Sequence, residues 1–118
     1  NYINAPVVSA NATHTFKQLT VQNGGVLTIQ ANLSVSDVIT ITGNNSRIEQ
    51  TAGTVSISSG NKAINITNGG TYNLSGGTLS NTSLLYISEA TFNISGSATL
   101  NVGRSLSLYS NAANTAFN

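Results

Sequence analysis

Apolar residues spaced i, i+2 recur along this chain in groups of three short segments, and each group repeats after about 20 to 25 residues. Leu27/Ile29, Leu33/Val35 and Ile39/Ile41 form one group; Ile48, Val55/Ile57 and Ile64/Ile66 form the next. Tyr72/Leu74, Leu79 and Leu85/Ile87 follow, then Phe92/Ile94, Leu100/Val102 and Leu106/Leu108. Period-two alternation excludes a helical hairpin array, so the pattern predicts a stacked parallel β-solenoid with about three strands per coil and about five coils. It predicts an all-β chain with no substantial helix.

Alignment on the first strand of each coil places Leu27, Ile48, Tyr72 and Phe92 at one inward position. Leu33, Val55, Leu79 and Leu100 take the equivalent place on the second strand, and Leu19, Ile39, Ile64, Leu85 and Leu106 on the third. Stacking coils about 4.8 Å apart turns such positions into ladders of like side chains. Thr71–Gly76 therefore lies over Thr91–Gly96, with aromatic rings stacked inside and asparagines and serines outside. Gln50 breaks the inward apolar run. It requires a backbone partner or a turn outward at a bend, because an unsatisfied buried amide costs about 1–3 kcal/mol.

Gly24-Gly25, Gly43-Asn44-Asn45, Gly60-Asn61, Gly69-Gly70, Gly76-Gly77 and Gly103 fall between the apolar pairs, where tight corners need left-handed backbone. Pro6 precedes the regular coils, where its missing N–H interrupts no central ladder. The chain is expected to be one solenoid domain over 1–118: an irregular opening coil over 1–22, regular coils over 23–110, and the start of an incomplete coil over 111–118.

Composition removes several function classes. Charged residues are 6% of 118, with a formal net charge of +1 and the four cations scattered, which argues against nucleic acid as a partner. Neutral Asn, Ser, Thr and Gly keep the surface polar. There is no cysteine for a disulfide or a thiolate metal site, and no apolar run long enough to span a membrane. The chain opens at Asn1 without an initiating Met, as a processed chain or an excised fragment does, and export is the expectation.

The runs Thr71-Tyr-Asn-Leu-Ser-Gly-Gly-Thr-Leu79, Leu84-Leu-Tyr-Ile87, Thr91-Phe-Asn-Ile-Ser-Gly96 and Thr99-Leu-Asn-Val-Gly103 resemble the autotransporter-associated β-strand repeats and similar solenoids of large bacterial surface proteins. The resemblance covers residues 71–110 well and 26–70 loosely. It implies a secreted, right-handed solenoid, extracellular or at the cell surface, in a structural or adhesive role. It carries over no catalytic residue and no cofactor.

The residues themselves offer little chemistry. Asp37, Glu49 and Glu89 are the only acids, and their positions along the coils do not converge as general acid–base catalysis requires. His14 stands alone in the opening segment, where a surface or capping role is expected, and no metal set is apparent. Asn68-Gly-Gly70 lacks the spacing of a phosphate loop. No catalysis is expected. Seven Asn-x-Ser/Thr sequons occur, about two more than chance gives, and the outward Asn65, Asn73 and Asn93 are the best candidate acceptors for glycosylation. Thr40/Thr42 is the one outward threonine pair on the third strands, too little for an ice-matching lattice. Tyr86 and Tyr109 offer a sugar-stacking alternative.

The ends carry the functional expectation. Terminal coils of a solenoid expose open sheet edges, and no charge, proline or capping helix follows Leu106/Leu108. Thr115, Ala116, Phe117 and Asn118 read as the opening of a further coil, with Phe117 set 25 residues past Phe92. Asn1, Tyr2, Ile3 and Asn4 suit an extended strand that completes it on another copy. A secreted subunit assembling head to tail with itself into a filament is the leading expectation. A fragment of a larger surface adhesin and a glycan- or ice-binding module are the alternatives.

Overall fold

The computed structural model of the chain describes residues 6–8, 13–57, 63–81, 83–109 and 115–118, and all regular structure among them is β-strand. In chain order the strands are β1 (Val7–Val8), β2 (His14–Val21), β3 (Val26–Ile29), β4 (Leu33–Thr42), β5 (Arg47–Gln50), β6 (Thr54–Ile57) and β7 (Ala63–Thr67). They continue as β8 (Thr71–Leu74), β9 (Thr78–Asn81), β10 (Leu84–Ser88), β11 (Thr91–Ile94), β12 (Thr99–Val102), β13 (Ser105–Tyr109) and β14 (Ala116–Phe117). Every pairing is parallel and joins strands of successive turns, which makes a β-solenoid of about five turns.

The strands stack as three ladders. The first is the sheet β1-β3-β5-β8-β11-β14. The second runs through the leading halves of β2 and β4 to β6, β9 and β12, and the third through their trailing halves to β7, β10 and β13. Because β2 and β4 pass unbroken through the bend between these two ladders, they join them into one eight-stranded sheet. Later turns spend separate strands on the two ladders, whereas β4 does the work of two in ten residues.

Of the opening segment, residues 14–21 form one long strand. All eight residues of β2 run beside β4, with a single irregularity where Lys17 alone faces Ser36 and Asp37. That bulge bends the strand and shifts the alternation of β2 by one residue, so that His14 and Phe16 before it and Leu19 and Val21 after it all take inward places. Asp37 lies inside β4 at this bend.

Inward positions form continuous columns. Leu27, Ile48, Tyr72 and Phe92 share one register, as do Leu33, Val55, Leu79 and Leu100, and Leu19, Ile39, Ile64, Leu85 and Leu106. Their middle members are buried in one apolar cluster. Leu106 departs from the core assignment. It is in register yet 42% exposed, because no described strand lies beyond β13.

Gln50 is fully buried and fully used. Its Nε2 donates to the carbonyls of Gly53 (3.2 Å) and Thr78 (3.0 Å), and its Oε1 accepts the Tyr72 hydroxyl at 2.6 Å. Burial pushes the Tyr72 phenol far above its usual range, which keeps the proton on the oxygen and the donor in place. A polar pair set into an apolar stack penalises every register that separates its members.

The corner from the third ladder to the first repeats one backbone device: Asn23, Asn45, Asn68 and Glu89 all hold left-handed φ between 51° and 65°. Asn tolerates this conformation; Glu89 has no such advantage and accepts the cost of a shorter corner. At the opposite corner Gly53 has φ +76°, and a Cβ there would run into the Ala31 backbone of the preceding coil.

Candidate functional site: the two end rungs

The large apolar side chains left exposed among the described residues all belong to the terminal rungs: Val7 and Phe16 at one end, Leu106, Leu108, Tyr109 and Phe117 at the other, each between 36% and 53% exposed. Four of them are inward residues whose neighbours one rung deeper are buried. Phe16 lies over Val35, Leu106 over Leu85, Leu108 over Ile87 and Phe117 over Phe92. These columns do not finish in polar residues. They stop open.

At the carboxyl-side end β14 covers the first ladder, and no described strand covers the other two. The Phe117 ring stacks on Phe92 with centroids 5.3 Å apart and an 8° tilt, and Phe92 stacks on Tyr72 at 5.3 Å and 24°. Outside, an amide ladder runs beside the rings. Asn118 Nδ2 donates to Asn93 Oδ1 (2.8 Å), Asn93 Nδ2 to Asn73 Oδ1 (2.8 Å), and Asn73 Nδ2 to Glu49 Oε1 (2.9 Å). Arg47 Nε donates to the same carboxylate oxygen at 2.8 Å, so the ladder ends on an ion pair. The amides of Ala116 and Asn118 donate to Ala90 and Phe92, and the Asn118 carbonyl accepts from Ile94, each at 2.9 Å. Thr115 pins the approach: its Oγ1 accepts from Glu89 N–H (2.8 Å) and donates to the Tyr109 carbonyl (2.9 Å). With its neighbours turned toward β11, Phe117 directs its own N–H and C=O away from the coil.

The amino-side end mirrors this. Thr28 N–H donates to the Pro6 carbonyl (3.0 Å) and Gln30 N–H to that of Val8 (2.9 Å), so the peptide groups of Val7 between them face away from β3. β2 presents the other edge over the second and third ladders. Asn1, Tyr2, Ile3 and Asn4 lie outside the described residues.

Of the surface and capping roles expected for His14, the structure gives the second. It takes the inward place over Leu33, and its Nε2 is buried without a hydrogen-bond partner. The acids stand apart: Asp37 accepts from Gln18 on β2, Glu49 holds the foot of the amide ladder, and Glu89 occupies a corner. A groove at that corner, lined by Asn44, Asn68, Gly69, Glu89, Ala90 and Thr91, contains one carboxylate, half of what acid–base catalysis on a glycoside uses. Among the described residues no three His, Asp or Glu side chains group to hold a metal.

Asn65, Asn73 and Asn93 all occupy outward positions. Nδ2 of Asn73 and of Asn93 is already donating within the ladder, so a glycan on either nitrogen would give up a bond, whereas Asn65 has no such tie to that ladder. The Tyr86 and Tyr109 rings stand 6.0 Å apart at 44°, tilted rather than coplanar. Thr42 accepts from Thr67 and Asn68, so the hydroxyls of that column bond to one another. A more regular hydroxyl array lies on the second ladder, where Thr54, Thr78 and Thr99 align beside Ser56, Ser80 and Asn101. Sequence reasoning missed it, although the Thr-x-Ser spacing of Thr54–Ser56 and Thr78–Ser80 signalled it.

Asn81, one of the sequons, was also missed: it points inward and is buried, its Oδ1 accepting from Ser83 N–H (3.0 Å) while Nδ2 has no partner. Compared with family models, with curated proteins and with solved structures, the chain matches none.

Proposed function

We propose that this chain is a secreted, non-catalytic structural subunit whose three-strand coils wind in the right-handed sense favoured for parallel crossovers, and which assembles head to tail along the solenoid axis into an extracellular filament. One observation supports the reading: among the described residues, apolar columns are uncovered at both ends of the stack and are flanked by strand edges of the same parallel sense that no described strand pairs. Seating the first rung of one copy on the last rung of another places Leu19 over Leu106, Val21 over Leu108 and Phe16 over Val102, in the register that every internal coil uses. Apolar burial and backbone pairing are gained together. Because the two surfaces differ, the contact repeats without closing.

Negative-stain electron microscopy of the purified chain across a concentration series tests this. Unbranched fibres that lengthen with concentration are expected; dispersed rods about 24 Å long, five levels at about 4.8 Å each, overturn it. Such rods fit the second reading, a piece of a longer surface adhesin. That reading is supported by the way Phe117 and Asn118 continue the internal columns as a following coil of one chain would.

A further inference from the structure

Among the described residues the three ladders do not have the same number of levels. The first has six (β1, β3, β5, β8, β11, β14), whereas the second and third have five each, through β2, β4, β6, β9 and β12 and through β2, β4, β7, β10 and β13. A copy that seats its β2 on β12 and β13 of the copy below is displaced by five levels. The same step carries its β1 to the level above β11, which β14 already fills. Two strands claim one place.

The other arrangements are worse. A displacement of six levels leaves a level empty beneath β2, with Leu106 and Leu108 still uncovered. A rotation by one ladder lays β2, which turns its bend with the single residue Lys17, across β13 and β14, two strands that six residues of sequence separate.

We propose that β14 is an exchangeable cap, held over β11 in the free subunit and displaced by β1 of the next copy on assembly. This rests on the head-to-tail reading and adds the step that controls it. The fit is specific. Carried five levels along, Pro6 takes the place of Phe117 over Phe92, Val7 that of Asn118 over Asn93, and Val8 covers Ile94, which β14 leaves half-buried. The outward-facing N–H and C=O of Val7 arrive where the Asn118 N–H and C=O now bond to Phe92 and Ile94. The occupant changes while the hydrogen-bonding scheme is kept. In the free subunit the cap protects one third of an otherwise aggregation-prone edge, and its release sets the pace of growth.

Thr91 and Ala116 are direct cross-strand partners, and the chain contains no cysteine, so Thr91→Cys with Ala116→Cys supplies a single disulfide that locks β14 to β11. The oxidised variant is expected to remain at single-copy mass in sedimentation, and the reduced one to assemble as the parent chain does. Oxidised protein that assembles as readily as reduced protein overturns the exchange and leaves head-to-tail association standing. A parent chain that never assembles removes both. Phe117→Asp, which weakens the cap without a crosslink, is expected to shorten the assembly lag several-fold. Loss of assembly in that variant, with the parent intact, would mean that Phe117 belongs to the joint and that β14 does not leave.

Discussion

Leu85 and Leu106 are the same residue type, one rung apart in one ladder, yet the first is fully buried and the second is 42% exposed. Phe92 and Phe117 repeat the contrast on another ladder. Middle and end share residue type, register and inward direction, and β10 and β13 are of equal length. The difference is a rung on the far side. In a solenoid each coil is the floor of the next, so an apolar column is satisfied only where it is covered from both directions. An end rung with a core-like sequence is a core still lacking one wall.

The strongest way to break the comparison is to truncate both leucines. Leu85→Ala leaves a cavity bounded on every side and is expected to cost about 2–5 kcal/mol in urea unfolding. Leu106→Ala removes atoms already half in water and is expected to cost less than about 1 kcal/mol in the dispersed chain. The order reverses in assembly: Leu106→Ala should raise the critical concentration severalfold while Leu85→Ala, where it folds, leaves it nearly unchanged. Equal unfolding costs would mean that the end rung is covered by something other than a neighbouring copy.

A second test acts on the polar pin of the middle coils. Tyr72→Phe leaves Gln50 Oε1 buried without its donor and is expected to cost about 1–3 kcal/mol in the same measurement. Adding Gln50→Leu should recover part of that loss, since an apolar pair needs no partner and the Gly53 carbonyl keeps its bond from Thr78 N–H. An unchanged midpoint in Tyr72→Phe would show that the interior stack, not the hydrogen bond, holds the register.

Much of this was legible in the residues. The i, i+2 pairs identify their partners, because a one-residue slip would turn every inward side chain outward; Leu27, Ile48, Tyr72 and Phe92 fall into line for that reason. Gln50 announced itself as an exception, though nothing in the sequence named Tyr72 as its acceptor's donor, since the two are 22 residues apart. The continuity of β2 and β4 was hidden because a bend made by a bulge leaves no Gly or Pro in the sequence. Which column His14 caps was hidden for the same reason: without the bulge at Lys17, no alternation carries back to it. The end rungs were visible as open. The unequal counts of six and five levels among the described residues were not, because they depend on how two-residue strands pair in space.

His14 offers a gentler test. Replacing it by Leu extends the Leu33 column by one apolar member and removes a buried nitrogen that has no partner. His14→Leu is expected to stabilise the chain by about 1–2 kcal/mol, read as a higher thermal midpoint. A drop in the midpoint would place a hydrogen-bond donor or acceptor at that nitrogen and make the amino-side rung more than an unfinished floor.

The smallest expected effect is electrostatic and reports on register alone. Lys17 turns the bend between the second and third ladders on the first rung, and Arg104 stands at the same bend on the last; both are exposed. Five-level stacking brings these two cations of successive copies to one corner, where their repulsion weakens association by less than about 1 kcal/mol. Growth should therefore quicken modestly as salt rises from about 0.01 to 0.15 M and the screening length falls from about 30 to about 8 Å. Arg104→Glu faces Lys17 with the opposite charge, so assembly should strengthen and its salt dependence change sign; adding Lys17→Glu should restore repulsion. A salt response indifferent to both substitutions would show that the two corners never meet, and that copies join in some register other than the one their interior columns share.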